Sequence, residues 1–352
     1  MKYLMKGNEA VAEAAVRAGC RYFFGYPITP QNQIPEYMSH RLAEVGGAYV
    51  QAESEISAIN MVYGAAGTGA RVMTSSSSPG ISLKQEGISY LCGAQLPCVI
   101  VNMMRGGPGL GGIQPGQADY FQATRGGGNG DYRVLVYAPA TVQEAADLTA
   151  RAFDMADDYR MPVMLLGDGF LGQMMEPVEL PEMIEYTPDK PWAARGYDGT
   201  RERAIVNSLF LKPDELEQHN IALQARYDEL AANHAQFAEE GTDDAEIVLV
   251  AYGTMARICR VAVRLARDKG IKAGLIRPIT LWPFPNAAFE QTLVGGAVKK
   301  FLTVEMSMGQ MVDDVRLAVN GRAPVDFFGR AGGMVPDELQ VLAAIERAAK
   351  EV

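Results

Sequence analysis

Histidine and cysteine are scarce in this chain, three and four among 352 residues. Cys20, Cys92, Cys98 and Cys259 form no C-x-x-C pair and no ferredoxin-type run, so iron–sulfur ligation by this sequence alone is not expected. They read as buried thiols in a reducing, cytoplasmic setting. His40, His219 and His234 lie too far apart in sequence to suggest a histidine metal site. Basic residues are the minority, 32 Lys and Arg against 42 Asp and Glu, for a net charge of −10. No basic stripe of the kind a nucleic-acid binder carries is visible. No apolar run reaches the roughly 18 residues that a membrane helix needs. The N-terminus opens in a helix-like pattern, from which no leader is expected.

What is present is a hydrophobic fraction of 48% and 37 glycines. The length allows two or three domains with cores of their own, and the glycines suit an α/β protein with many tight strand-to-helix turns. GNEAVAEAAVRAGC, from Gly7 to Cys20, reads as a helix with Asn8 as its cap and Gly19 at its end. Strands follow at Arg21–Gly25, Ala48–Gln51, Arg71–Ser75, Cys98–Met103, Val134–Tyr137 and Val163–Leu166. Helices are expected from Glu53–Glu55 through Ala66, after Gly80 to about Cys92, and over Val142–Tyr159. This alternation predicts a doubly wound, mainly parallel sheet over residues 1–185.

Near Glu185 the rhythm stops. Residues 186–245 read as a linker rich in Pro, Gly and charge, then one long helix from Pro213 to Ala238. Leu216, Leu223, Leu230 and Phe237 recur every seven residues there, marking a packing face. From Glu246 the alternation resumes, predicting a second, smaller α/β domain over 246–352.

Ligands of open parallel sheets sit beyond the carboxyl ends of the strands. Four polar elements fall there: the turn Tyr26-Pro27-Ile28-Thr29-Pro30, the segment with Glu53 and Glu55, the run Ser75 to Ser78, and the segment opening at Arg105. Taken singly, each has a structural explanation. Glu55 could be a favourable charge at a helix start, Thr29 a turn hydroxyl, and Arg105 an ion-pair or helix-end partner. Gly167-Asp168-Gly169 resembles the start of a diphosphate–Mg²⁺ motif, but no Asn-rich partner follows about 30 residues on. Gly107 to Gly112 is not a dinucleotide fingerprint, because no helix pattern follows it.

GNEAVAEAAVRAGCRYFFGYPITP, QAESEISAINMVYGAAGTGARVMTSSSSPG and VEMSMGQMVDDVR, in that order, resemble the α subunits of 2-oxoacid:ferredoxin oxidoreductases. The resemblance runs from Gly7 to about Arg330. Arg105 to Gly109 and Gly126 to Arg133 look most like the branched-chain (2-oxoisovalerate, or 3-methyl-2-oxobutanoate) member, with Asn129 standing where that run carries His.

The resemblance implies a domain that holds the aminopyrimidine of thiamine diphosphate (TPP), followed by a transketolase C-terminal-like domain. Glu55, nine residues before Gly64, matches the pyrimidine-contacting glutamate better than Glu53 does. A carboxyl group hydrogen-bonded to pyrimidine N1′ favours the imino tautomer and makes the coenzyme's own 4′-nitrogen a competent base. Thr29 and Arg105 match substrate contacts, Arg offering a donor fork to a planar carboxylate. Tyr26, Pro27, Ile28, Ser77 and Ser78 would line the cofactor with them. The family's activity implies coenzyme A as co-substrate. It also implies a diphosphate- and Mg²⁺-binding β subunit, a γ subunit, a ferredoxin-like subunit carrying iron–sulfur clusters, and ferredoxin as acceptor. Two alternatives stay open: a 2-oxoglutarate enzyme, for which Arg125 or Arg133 could supply a second cation, and a non-catalytic assembly subunit.

Overall fold

The computed structural model describes residues 2–186, 189–197 and 199–351. The first unit runs β1 (Lys2–Lys6), α1 (Gly7–Arg17), β2 (Tyr22–Gly25), α2 (Gln33–Glu44), β3 (Ala48–Gln51), α3 (Glu55–Gly67), β4 (Val72–Ser76), α4 (Ser78–Gly93) and β5 (Cys98–Met104). It continues with α5 (Tyr120–Arg125), β6 (Leu135–Tyr137), α6 (Val142–Tyr159), β7 (Pro162–Asp168), α7 (Gly169–Gln173) and β8 (Met175–Glu179). The N-terminus is therefore not helical from its start. β1 pairs antiparallel with β8 in a separate two-stranded sheet.

The main sheet has seven strands, in the order β12-β6-β7-β5-β4-β2-β3 once a later strand is counted. Six of them, β2 to β7, run parallel, as the strand–helix alternation predicts. The alternation of side chains explains why both faces are covered. Val99, Val101 and Met103 of β5 join one core with Val11, Met38 and Phe153. Cys98, Ile100 and Met104 of the same strand join another with Ile59, Ile81 and Ile88. A strand buried on both faces reads as a continuous apolar run, and all seven residues of β5 are buried. β2 lies between β3 and β4, so the strand order reverses at the β2/β4 boundary. Such a reversal leaves a crevice outside the carboxyl ends.

After α8 (Pro213–His234), whose buried residues join the core of the first unit, the second unit comprises β9 (Phe237–Glu240), β10 (Ile247–Val250), α9 (Gly253–Asp268), β11 (Ala273–Pro278), β12 (Thr280–Trp282) and α10 (Asn286–Val294). It ends with β13 (Lys300–Glu305), α11 (Met311–Val319), β14 (Val325–Gly329) and α12 (Glu338–Lys350). Its five-stranded sheet has the order β14-β13-β10-β11-β9, parallel except for β9. β12 leaves this unit and pairs antiparallel with β6, at the edge of the first sheet.

Of the predicted linker, residues 187, 188 and 198 lie outside the described residues. The long helix stops at His234, earlier than its heptad pattern suggests, because Phe237 to Ala238 pair with Arg277 and Pro278 of β11. Leu223, Tyr227 and Leu230 form its buried face, whereas Leu216 is 39% exposed. Arg226 donates to the Gln95 side chain and the Tyr159 carbonyl, which precede β5 and β7. The helix thus braces the amino edge of the sheet, opposite the crevice.

Candidate functional site

The four polar segments expected at the carboxyl edge follow β2, β3, β4 and β5, four adjacent strands. After β2, the Tyr26–Pro30 turn is held from two sides. Asn8, expected as a helix cap, is instead fully buried inside α1, and its amide donates to the Pro30 carbonyl at 2.9 Å. The start of α1 is instead fixed by Glu9, which accepts from the Lys6 backbone. Gln31 bonds Ser75 across the β2/β4 crevice and donates to the Tyr26 carbonyl. Tyr26, Pro27 and Thr29 are left facing outward, with Ile28 half-buried.

After β3, Ser54 caps α3 by accepting from the Ser57 backbone at 3.3 Å. That cap fixes which glutamate turns inward. Glu53 is exposed and bonded to the Ser57 hydroxyl, while Glu55, the first residue of α3, is 7% exposed. Glu55 lies against Gly80 of α4, where a methyl group would stand 2.6 Å from Glu55 Oε1 and 2.0 Å from Ser76 Oγ. Only glycine leaves room for the carboxylate there.

After β4, the serines divide. Ser76 and Ser77 hydroxyls are buried and have no hydrogen-bond partner among the described residues. Ser78, at φ +21°, is committed internally: its hydroxyl donates to Asp119 Oδ2 at 2.6 Å and accepts from the Arg105 backbone at 3.0 Å. Asn102 also donates to Asp119. Burial pushes the Asp119 carboxyl up, and those two donors with Arg105 pull it back.

After β5, Arg105 is buried at 7% exposure. Its Nη1 donates to the Thr29 carbonyl and its Nη2 to the Leu110 carbonyl, each at 3.0 Å, while Nε has no partner among the described residues. The guanidinium is thereby locked in place against the turn after β2, with one edge of its fork unspent. Beside it, a cleft of about 580 Å³ runs from Ser78, Gly106 to Gly109 and Asp119 to Met306, Met308 and Gly332 of the second unit.

Other sequence-flagged residues fall elsewhere. Asp168 caps α7, its Oδ1 accepting from Phe170 and Leu171, and burial raises its carboxyl while Thr254 and these amides lower it. Arg125 is paired with Asp314 at 3.0 Å and stacks on Phe121. Arg133 stands before β6, at the amino edge of the sheet, and lines another cleft with Arg125 and Trp282. Within the conspicuous VEMSMGQM run, Glu305 is structural: it accepts from the backbone of Gln310, Met311 and Val312, capping α11. Burial pushes this carboxyl up and those amides pull it down.

Residues 13–239 match the family described as pyruvate flavodoxin/ferredoxin oxidoreductase, thiamine-diphosphate-binding, and residues 245–341 match pyruvate:ferredoxin oxidoreductase core domain II. The chain belongs to the pyruvate flavodoxin/ferredoxin oxidoreductase family. It is 51% identical over 347 residues to the ketoisovalerate oxidoreductase subunit VorB of Methanothermobacter thermautotrophicus, covering 98% of this chain and 97% of that one. It is 36% identical to the 2-oxoglutarate synthase subunit KorA of the same organism, over 96% of this chain and 97% of KorA. The 2-oxoglutarate:ferredoxin oxidoreductase of Magnetococcus marinus shares the fold, with a TM-score of 0.86 at 24% identity over 98% of this chain. This chain spans 65% of that longer one.

Within this oxidoreductase fold, sequence reasoning passed over Lys84, Gln31, Asn102 and Asp119. Lys84 had a signal: it sits on the apolar stripe of α4 with Ile81 and Ile88, where a lysine is out of place.

Proposed function

We propose that this chain is the TPP-pyrimidine-binding subunit of a 2-oxoacid:ferredoxin oxidoreductase acting on branched-chain 2-oxoacids. The complex would convert 2-oxoacid, coenzyme A and oxidised ferredoxin to acyl-CoA, CO₂ and reduced ferredoxin. The observation that carries the reading is the convergence of buried Glu55, the unpartnered Ser76 and Ser77 hydroxyls and the anchored Arg105 at one sheet edge. Orphaned buried polar groups are rare, and here they flank the reversal in strand order where ligands bind.

These residues fit the pyrimidine half of TPP. When bound, TPP supplies the nucleophilic carbon that adds to the keto group. Glu55 would hold the proton at pyrimidine N1′. The Tyr26–Thr29 turn and Ser77 would line the ring, with Ser78 shaping the wall through its bonds to Asp119 and Arg105. Arg105, preorganised by two carbonyls, would orient the substrate carboxylate with Thr29 beside it. The diphosphate, its Mg²⁺ and the iron–sulfur clusters would be held by partner subunits, in a cytoplasmic assembly that hands electrons to ferredoxin.

The preference for a branched-chain acid has its own support. A 2-oxoglutarate pocket wants a second cation. Arg125 is spent on Asp314, and Arg133 is at the opposite edge of the sheet. The identity of 51% to a ketoisovalerate subunit against 36% to a 2-oxoglutarate subunit points the same way. Turnover of the assembled complex on a panel of 2-oxoacids tests this. The expected result is a higher kcat/KM for 2-oxoisovalerate than for 2-oxoglutarate, and a clear reversal would overturn the substrate assignment.

A further inference from the structure

Lys84 is fully buried, at 0% exposure. Its ammonium donates to Thr74 Oγ1 at 2.8 Å, the one hydrogen bond seen for it among the described residues. A buried ammonium with a single neutral partner is costly, and such groups persist when a counter-charge stands close. Lys84 lies one helical turn beyond Gly80 on α4, so the two share a face. Gly80 is the residue against which the Glu55 carboxylate packs. On the facing strand, Thr74 is two residues before Ser76, so both point to the same side of the sheet.

We propose that Lys84 is a positioning residue for Glu55, a buried counter-charge that holds the carboxyl group in place toward pyrimidine N1′. The inference rests on the assignment of Glu55 as the pyrimidine partner. Two titratable groups act on the lysine: Glu55 from α3 and Cys98 from β5. Burial drives the Cys98 thiol far up, which leaves Glu55, packed on the same face of α4 through Gly80, as the acid near the lysine. Burial also brings the Lys84 ammonium down to about 7, while Glu55 holds it up.

The sign of the effect follows. Removing a nearby cation raises the pKa of a pyrimidinium held beside it. In Lys84→Met, the pH at which the imino tautomer of bound TPP appears, read by its near-ultraviolet circular-dichroism band in the assembled Mg²⁺–TPP complex, should rise by about one unit or more. Thr74→Val keeps the lysine but removes its hydroxyl acceptor, and should shift the midpoint the same way by less. It serves if Lys84→Met does not assemble. Midpoints unchanged in the variants that assemble would overturn the proposal. A second readout needs no cofactor: a double-mutant cycle of Lys84→Met and Glu55→Gln on thermal unfolding of the TPP-free complex. Non-additive losses are expected, and additive ones would contradict the pairing. Coupling in the cycle, together with no imino band in the unmutated complex, would place the failure with the TPP assignment of Glu55 instead.

Discussion

At the scale of single residues, the structure separates Glu55 from Glu53 for a simple reason. Two glutamates two positions apart are equivalent in composition, but Ser54 caps the helix between them. The cap turns Glu55 under α4 and leaves Glu53 in solvent with Ser57. Glu55→Gln keeps the shape and removes the proton-holding carboxylate. Turnover of the complex should fall by roughly 10²–10⁴-fold with assembly intact, as measured by ferredoxin reduction. Near-normal turnover would remove Glu55 from the chemistry. Glu55, Thr29 and Arg105 were singled out through the family resemblance, and their segments follow β3, β2 and β5 at one edge of the sheet. Lys84 left one trace, its place on the stripe of Ile81 and Ile88, but a lysine inside a helix usually reads as a solvated charge. Nor did the sequence show that two of the three Arg105 guanidinium nitrogens are bonded to the carbonyls of Thr29 and Leu110, because those bonds depend on loops meeting in space.

At the scale of elements, the helices with strong apolar stripes and the strands buried on both faces were readable from periodicity. β5 and α6 lie within a residue of the expected bounds. β1, β8, β9, β12 and β14 were not readable. They are three to five residues long, and each lies at a sheet edge or in the two-stranded sheet. Their existence is decided by a distant partner more than by their own pattern. α4 shows how an element carries the site: its first turn brings Gly80 against Glu55, and its second buries Lys84. Gly80→Ala would place a methyl 2.0 Å from Ser76 Oγ and 2.6 Å from Glu55 Oε1. Overpacking of this kind costs about 1–3 kcal/mol, and the carboxylate must move. A lowered denaturation midpoint with a disproportionate loss of turnover is expected. Unchanged turnover would show that this contact does not position Glu55.

At the scale of the whole molecule, two α/β units were expected, but their interlock was not. β12 crosses into the first sheet. Gln117 exchanges bonds with the Tyr252 and Met306 backbones, and Arg277 grips Glu144 with both terminal nitrogens. One cleft wall is thus built by the second unit, through Met306, Met308 and Gly332. Among the described residues no group of three or more His, Cys, Asp or Glu side chains is arranged to hold a metal. Asp168, the residue of the diphosphate-like Gly-Asp-Gly run, is spent on capping α7. In the proposed reading the chain supplies the pyrimidine half of a cofactor site, and small ligands bind best when most of their surface is enclosed. Calorimetry of Mg²⁺–TPP binding, on this chain alone and on the chain with its diphosphate-binding partner, tests that division of labour most directly. Very weak binding to the chain alone and tight binding once the partner is added is the predicted result. Tight binding by the isolated chain would contradict it.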